Sequence, residues 1–427
     1  MDCRSALEDG KAFILKKSFI HEEIIGGWDN SPMPLGVYIS VPFCRTKCSY
    51  CNFASDVFSI RVFDNYVHRI CAEIHNAHRT AEQMGAEIED EIDSIFLGGG
   101  TPTVLDPAQL ERIFSAARSE FSLNSEAEIT VECAPGTLTD SLIACLLNCG
   151  VNRVSLGVQS FVDQEAAAVG RQHNRAVVVQ DIAHLRAAGI TNINIDLIAG
   201  LPHQTAESWD FSLQEAIASW APHVSVYMLE VDQDSRLGRE LLAGGKRYHA
   251  HFVPDEDATA DYYLKACERL ESAGVGQYEI SNFARAGFES RHNLKYWTRQ
   301  PYLGFGVDAH SMLRSAVPDL EAIRFASPDS LERYLSGAPP QRTEVSCSSA
   351  LEENFFLGLR LTRGISLSEI AAKFGKHVTD NTRAAIADFM ETGLMEQQGD
   401  WVRLTSRGRL LSNEVFERFM LAEEVIT

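Results

Sequence analysis

The sequence predicts an α/β fold: a partial (β/α)6 barrel of the TIM type, followed by a C-terminal α+β domain with a winged-helix-like end. Three observations carry this. From about Gly36 to Val231, short β-rich runs alternate with stretches carrying apolar residues at helical spacing, the signature of parallel βαβ units. No GxGxxG opens the first helix, so six units fit a barrel or part of one better than an open dinucleotide-binding sheet. Beyond Leu351 the order changes to helices, a hairpin-like stretch and a final helix.

The candidate strands are GVYISV (36–41), DSIFLG (93–98), EITVEC (128–133), RVSLGVQ (153–159), NINIDLI (192–198) and HVSVYML (223–229). Helices such as FDNYVHRICAEIHNAHRTAEQMG and NRAVVVQDIAHLRAAG lie between them. The conspicuous polar residues and glycines sit at the strands' C-terminal ends. A cysteine loop follows the first strand and Gly98-Gly99-Gly100-Thr101-Pro102 the second, the third and fourth reach Glu132 and Gln159, and Asp196 lies late in the fifth. Parallel barrels build their active sites on that face. The expected divisions are an N-terminal extension (1–33), the barrel (34–270), a segment rich in Gly, aromatics, Asn and His with a linker (271–345), and the C-terminal domain (346–427), with 318–348 read as linker or surface loop.

Composition narrows the function. The 427 residues carry a net charge of −21, which argues against a general nucleic-acid binder because phosphate neutralisation needs clustered Lys and Arg. The winged-helix-like end raises DNA binding as a rival. However, the region from 351 has nine basic against twelve acidic residues, and its recognition-helix candidate, Thr382–Glu391, sets Asp388 and Glu391 against Arg383. No nucleic-acid partner is expected. No uncharged apolar run approaches the roughly 20 residues of a membrane-spanning helix, and charges interrupt the apolar residues of the opening stretch, so a cytoplasmic location is expected.

Ten cysteines are too dilute for a disulfide scaffold. Cys3, Cys71, Cys133, Cys145, Cys149, Cys267 and Cys347 are scattered and read as small buried hydrophobes. Cys44, Cys48 and Cys51 form the one tight group, C-x3-C-x2-C within VPFCRTKCSYCNF. Three thiolates suit a 4Fe-4S cubane with one iron left open. A zinc site needs four ligands and finds no second pair of that spacing. A buried cysteine stripe is disfavoured by Pro42, Arg45 and Lys47 in so short a loop.

The cysteine loop after a first strand, with GGGTP after a second, resembles the radical S-adenosylmethionine (SAM) superfamily. That resemblance implies that SAM chelates the open iron and is cleaved by an electron from the cluster. Within the superfamily the chain is similar to the oxygen-independent coproporphyrinogen III oxidase group, through RVSLGVQSF, VGRQHNRA and NIDLIAGLPHQT in order. The resemblance implies that Tyr38 and Tyr50 lie near the adenosyl part and cluster, that Gly99, Gly100 and Thr101 line the methionine part, and that Glu132 meets the ribose. Gln159, Arg171 and Asp196 would complete the pocket. Cys133 after Glu132 and His203 in the GLPHQT stretch depart from the group's usual Asn and Gly.

The oxidases of this group carry a fourth cysteine two positions after the third. Here that position is Phe53, as in the HemW branch, a set of oxidase-like proteins regarded as haem chaperones. HNLKYW (292–297) resembles that branch's HN-x-x-YW signature, and LEENFFLGLRLTRGI (351–365) resembles its C-terminal region. The resemblance implies a chaperone holding a 4Fe-4S cluster, SAM and haem as cargo, and passing haem to an acceptor protein, a membrane-associated one included. His292 offers an imidazole to haem iron, and Tyr296 and Trp297 offer flat apolar faces; a histidine satisfied inside an aromatic cluster is the competing reading. The enzymatic alternative is anaerobic decarboxylation of coproporphyrinogen propionates.

Overall fold

The computed structural model describes residues 33–420 apart from 234, 246 and 247. Nearly all of the expected N-terminal extension, with Cys3, lies outside the described residues. All six expected strands are present: β1 (Leu35–Val41), β2 (Glu91–Gly99), β3 (Ser122–Cys133), β4 (Arg153–Gln159), β5 (Asn192–Ala199) and β6 (His223–Met228). They pair in parallel and in chain order, and among the described residues the ends of the sheet do not meet, so the barrel is partial. Val, Ile and Leu on the outer face pack under the helices and are almost wholly buried, as a parallel sheet covered by helices requires. Helix caps follow the sequence: Asp106 and Gln109 form a capping box before the helix Pro107–Glu120, and Asn174 caps Arg175–Ala187. The long helical stretch after the cysteine loop breaks into Phe63–Ile74 and Ala77–Met84 at His75-Asn76, where Asn76 turns its amide back onto the Ala72 carbonyl (2.6 Å).

The segment after the barrel is more ordered than a linker. A pair of short strands, β7 (Gly276–Gln277) and β8 (Asn282–Ala284), extends the sheet beyond β6. At the other edge β9 (Tyr302–Phe305) adds in parallel to β1, followed by antiparallel β10 (His310–Ser315), β11 (Leu320–Ala326) and β12 (Gln341–Ser346). The stretch 318–348, expected as linker or loop, therefore supplies two strands and the helix Leu331–Leu335. Its Pro-rich sequence misleads because Ala338-Pro339-Pro340 occupies only the turn entering β12.

Beyond Ser346 a second core forms. Helices Cys347–Gly358, Leu367–Phe374 and Lys376–Glu391 pack with a three-stranded sheet of β13 (Ile365–Ser366), β15 (Trp401–Leu404) and β14 (Met395–Gln398), in that order, the winged-helix-like arrangement expected. A buried ion network ties it to the extended sheet. Arg299 meets Glu353 (2.7 Å) and Glu321 (3.7 Å), Arg324 meets Glu353 (2.7 Å), and Lys373 meets Glu321 (3.2 Å).

Candidate cluster and cofactor site

The cysteine loop is rooted by Phe43, fully buried, stacked on Phe63 (ring centroids 4.0 Å apart) and edge-on to Tyr66 (5.1 Å). The glycine turn after β2 is zipped to that root: Gly100 N–H donates to the Val41 carbonyl (2.8 Å) and Thr101 N–H to the Phe43 carbonyl (2.7 Å). A Cβ on Gly100 would stand 2.7 Å from the Phe43 oxygen, so only glycine permits the approach. Gly99 adopts a left-handed φ of 102°, which aims its N–H at Glu132 Oε2 (3.1 Å).

Each of the three thiols has a polar neighbour. Thr101 Oγ1 lies 3.9 Å from Cys44 Sγ, Arg171 Nη1 3.5 Å from Cys48 Sγ, and Ser55 Oγ 4.0 Å from Cys51 Sγ. The sulfurs lie close enough to feel one another electrostatically; with burial first, Cys51 and Cys48 raise the Cys44 thiol. All three are free of disulfides. Three thiolates on one short loop suit a cubane, which offers a separate iron corner to each. The donor set therefore fits a 4Fe-4S cluster held by Cys44, Cys48 and Cys51.

The remaining expected residues gather around this loop, at the C-terminal mouth of the barrel. Tyr38, Glu132, Gln159, Arg171 and Asp196 are half-buried. Burial, then the charge of Asp196, pushes Glu132 up to about 8, against the pull of the Gly99 N–H and Arg153. Asp196 is itself raised by burial, but accepts from Ser155 Oγ (3.0 Å) and Asn194 Nδ2 (2.7 Å). Arg171 reaches back to the Gly157 carbonyl as well as to Cys48. Gln159 ends β4 in a left-handed conformation (φ 68°). Tyr50 packs against the small cluster of Val169, Ile198 and Leu201, which ties the loop to the end of β5. Beside Arg171 opens a cavity of about 310 Å³, its lining including Arg45, Thr101, Gly136 and His173. Burial, then Arg171, pulls His173 down to about 4, so it is neutral there.

Sequence reasoning passed over Ser155, Asn194 and His173. The first two were within reach of the two-residue strand period: Asn194 precedes Asp196 by two, and Ser155 pairs with Asn194 across β4 and β5.

His292 touches this group at Tyr38, with ring centroids 6.4 Å apart, but makes its hydrogen bonds elsewhere. Its helix, Arg291–Trp297, seals the N-terminal floor of the barrel. There Nδ1 pairs with Ser94 Oγ (3.0 Å), Nε2 with Tyr296 Oη (2.8 Å), and the side chain is shut off from solvent. Glu128 receives the start of that helix, accepting from Ser290 Oγ and from the N–H groups of Arg291 and His292 at 3.1–3.3 Å. Burial, then Lys295 and Arg153, pulls His292 down to about 3. An axial bond to haem iron would require breaking one of its two ring contacts, which here satisfy both nitrogens inside an aromatic cluster. Cys133 is likewise a buried thiol, raised first by burial.

An incomplete parallel barrel with a three-thiol loop after β1, a glycine turn zipped to it and carboxylates at the next strand ends defines a radical SAM protein. Residues 38–216 match the family model for the radical SAM superfamily, and residues 348–411 that for the HemN C-terminal domain. The coproporphyrinogen III oxidase HemN of Escherichia coli, a solved structure, superposes with a TM-score of 0.76 over 90% of each chain at 24% identity, which shows the fold. The "Heme chaperone HemW" of Bacillus subtilis is 34% identical over 390 residues, covering 90% of this chain and 98% of that one. Its namesake in Escherichia coli is 30% identical, covering 91% and 98%. The chain belongs to the HemW family of radical SAM proteins. Membership implies a 4Fe-4S cluster and SAM.

Proposed function

We propose that the protein is a haem chaperone: it holds a 4Fe-4S cluster and SAM at the barrel mouth, binds haem as cargo and delivers it to an acceptor protein. The carrying observation is Phe53. Where the oxidase group has a fourth cysteine, this chain presents a phenylalanine that is 65% exposed, next to a cluster loop otherwise complete. In the proposed site Cys44, Cys48 and Cys51 hold three irons. Gly99, Gly100 and Thr101 receive the methionine part of SAM, Glu132, Gln159 and Asp196 its hydroxyls and ammonium, and Arg171 its carboxylate, while Tyr38 and Tyr50 wall the adenosyl end. The cluster, when bound, supplies an electron to the sulfonium. No described helix is long and apolar enough to cross a membrane, and the reading places the protein in the cytoplasm, meeting an acceptor that can itself be membrane-associated.

The test is a haem titration of the full chain with its cluster reconstituted, paired with an anaerobic incubation with coproporphyrinogen III, SAM and a reductant. Saturable haem binding with intact coproporphyrinogen is expected. Decarboxylated product with no haem binding would overturn the reading in favour of the oxidase.

A further inference from the structure

The cavity beside Arg171 extends past the residues that the proposed site gives to SAM. Thr101 and Arg171 form the rim the two share. The other walls are Arg45 of the cluster loop, the turn 134–137 after β3, and His173 and Val177 beyond β4. These walls are held in place. Gly136 N–H donates to Asp181 Oδ2 (2.6 Å), and Thr137 Oγ1 pairs with Thr103 Oγ1 (2.7 Å). The chain leading to His173 is bonded to the cluster loop: Thr46 Oγ1 donates to the Gly170 carbonyl (3.2 Å) and Ser49 N–H to the Val169 carbonyl (3.2 Å).

His173 differs from His292 in what it leaves free. Its Nε2 lies 3.1 Å from the Val158 carbonyl in β4. A carbonyl oxygen only accepts, so Nε2 carries the ring's proton. Burial, then Arg171, disfavours a second proton. Nδ1 therefore keeps its lone pair, and among the described residues it has no hydrogen-bond partner. The side chain is half-buried rather than sealed. A ligating histidine whose other nitrogen donates to a backbone carbonyl is the usual arrangement at metal centres, because the bond fixes the ring and raises its basicity.

The rest of the lining suits a large ligand with carboxylates rather than a bare ion. The cavity's volume of about 310 Å³ falls within the roughly 300–1,000 Å³ of small-molecule sites. Ala134, Pro135 and Val177 give it apolar wall. Among the described residues that line it there is no Asp or Glu, and Arg45 and Arg171 make it cationic in a chain of net charge −21. The Arg171 guanidinium is already engaged by Cys48 Sγ and the Gly157 carbonyl, whereas Arg45 is exposed on the cluster loop. Zinc would need three or four His, Cys or carboxylate ligands, and His173 is the single one among the described lining residues. Haem brings four nitrogens of its own and asks the protein for an axial bond.

From this juxtaposition we propose that His173 is an axial ligand to haem iron in the cavity beside Arg171, with Arg45 meeting a propionate. The inference rests on the haem-chaperone reading and gives its cargo a place. The bonds from Thr46 and Ser49 to the chain before His173 then link cargo to cluster.

The test titrates ferric haem, and metal-free protoporphyrin IX as a control, into full-length protein with its cluster reconstituted, in the native chain and in His173→Ala, His173→Gln and Arg45→Gln. Cluster iron and sulfide content reports folding in each, and SAM affinity is measured alongside. Expected are a Soret shift and at least tenfold weaker haem binding in both His173 variants, with protoporphyrin and SAM affinities unchanged. Arg45→Gln should keep the native Soret position and weaken haem and protoporphyrin alike, since both carry propionates. Haem bound by both His173 variants with the native spectrum and affinity overturns this site while leaving the chaperone reading standing. Weakened SAM with unchanged haem in those variants gives the cavity to SAM and overturns it too. Absence of haem binding by the native chain overturns both readings.

Discussion

At the mouth of the barrel Glu132 and Asp196 face one another half-exposed; at the floor Glu128 and His292 are closed off from water, each with its polar atoms engaged. The residue types are much the same at both ends. What separates them is whether hydrogen-bonding capacity is left over. Glu132 receives one backbone N–H, and its ionised form is disfavoured by burial and by Asp196, an arrangement that a ligand bringing donors and positive charge relieves. Glu128 already receives three donors from the Ser290 to His292 turn and offers nothing to a ligand. A carboxylate or histidine marks a site by what it lacks.

Removing a cluster thiol is expected to have the largest effect. Cys48→Ala should reduce iron from about four per chain to near zero with loss of the cluster's visible absorbance, measured by iron and sulfide analysis after anaerobic reconstitution. Retention of full iron would break the assignment of the mouth. Next, Glu132→Ala should leave the cluster in place and weaken SAM by ~1–3 kcal/mol in a binding titration. An unchanged affinity, in this variant and in Asp196→Ala, would move the pocket elsewhere.

At the floor the expectation reverses. His292→Ala deletes a buried ring and strands Ser94 and Tyr296, so it should cost about 2–4 kcal/mol in denaturant unfolding while leaving the SAM affinity of the folded protein near native. A loss of SAM binding without a loss of stability would show that the floor takes part in the site.

The smallest effect is the most discriminating. Glu132 holds its proton more tightly folded than unfolded, so its contribution makes stability fall as pH rises from about 4.5 toward about 8. His292 has the opposite sense: the unfolded chain takes up its proton near pH 6.5 and the folded chain only near 3, so stability is lost as pH falls through that window. Glu132→Gln should therefore flatten the alkaline limb of a melting-temperature profile, and His292→Gln the acid limb. Identical profiles in the two variants would erase the distinction between the ends.

The sequence makes the mouth more legible than the floor, for physical reasons. Cys44, Cys48 and Cys51 are neighbours along the chain, and Gly99, Glu132 and Asp196 each lie in the last half of a strand whose apolar run announces it. The edges of the sheet carry weaker signals. β9 is four residues, Tyr-Leu-Gly-Phe, with no alternation, and only its pairing with β1 makes it a strand. β3 begins six residues earlier than its apolar run, in the polar Ser-Leu-Asn-Ser-Glu-Ala, because its first residues pair with the start of β2. The role of His292 depends on Ser94, 198 positions away, and the contact of His203 with His249 on two distant turns. Neither partnership leaves a trace in local spacing.

The central claim is that chemistry resides at the mouth and structural support at the floor, and it is tested most directly by measuring SAM affinity side by side in Glu132→Ala and His292→Ala, both carrying a full complement of cluster iron. The account predicts weakened binding in Glu132→Ala and native binding in His292→Ala. Native binding in Glu132→Ala together with weakened binding in His292→Ala would contradict it.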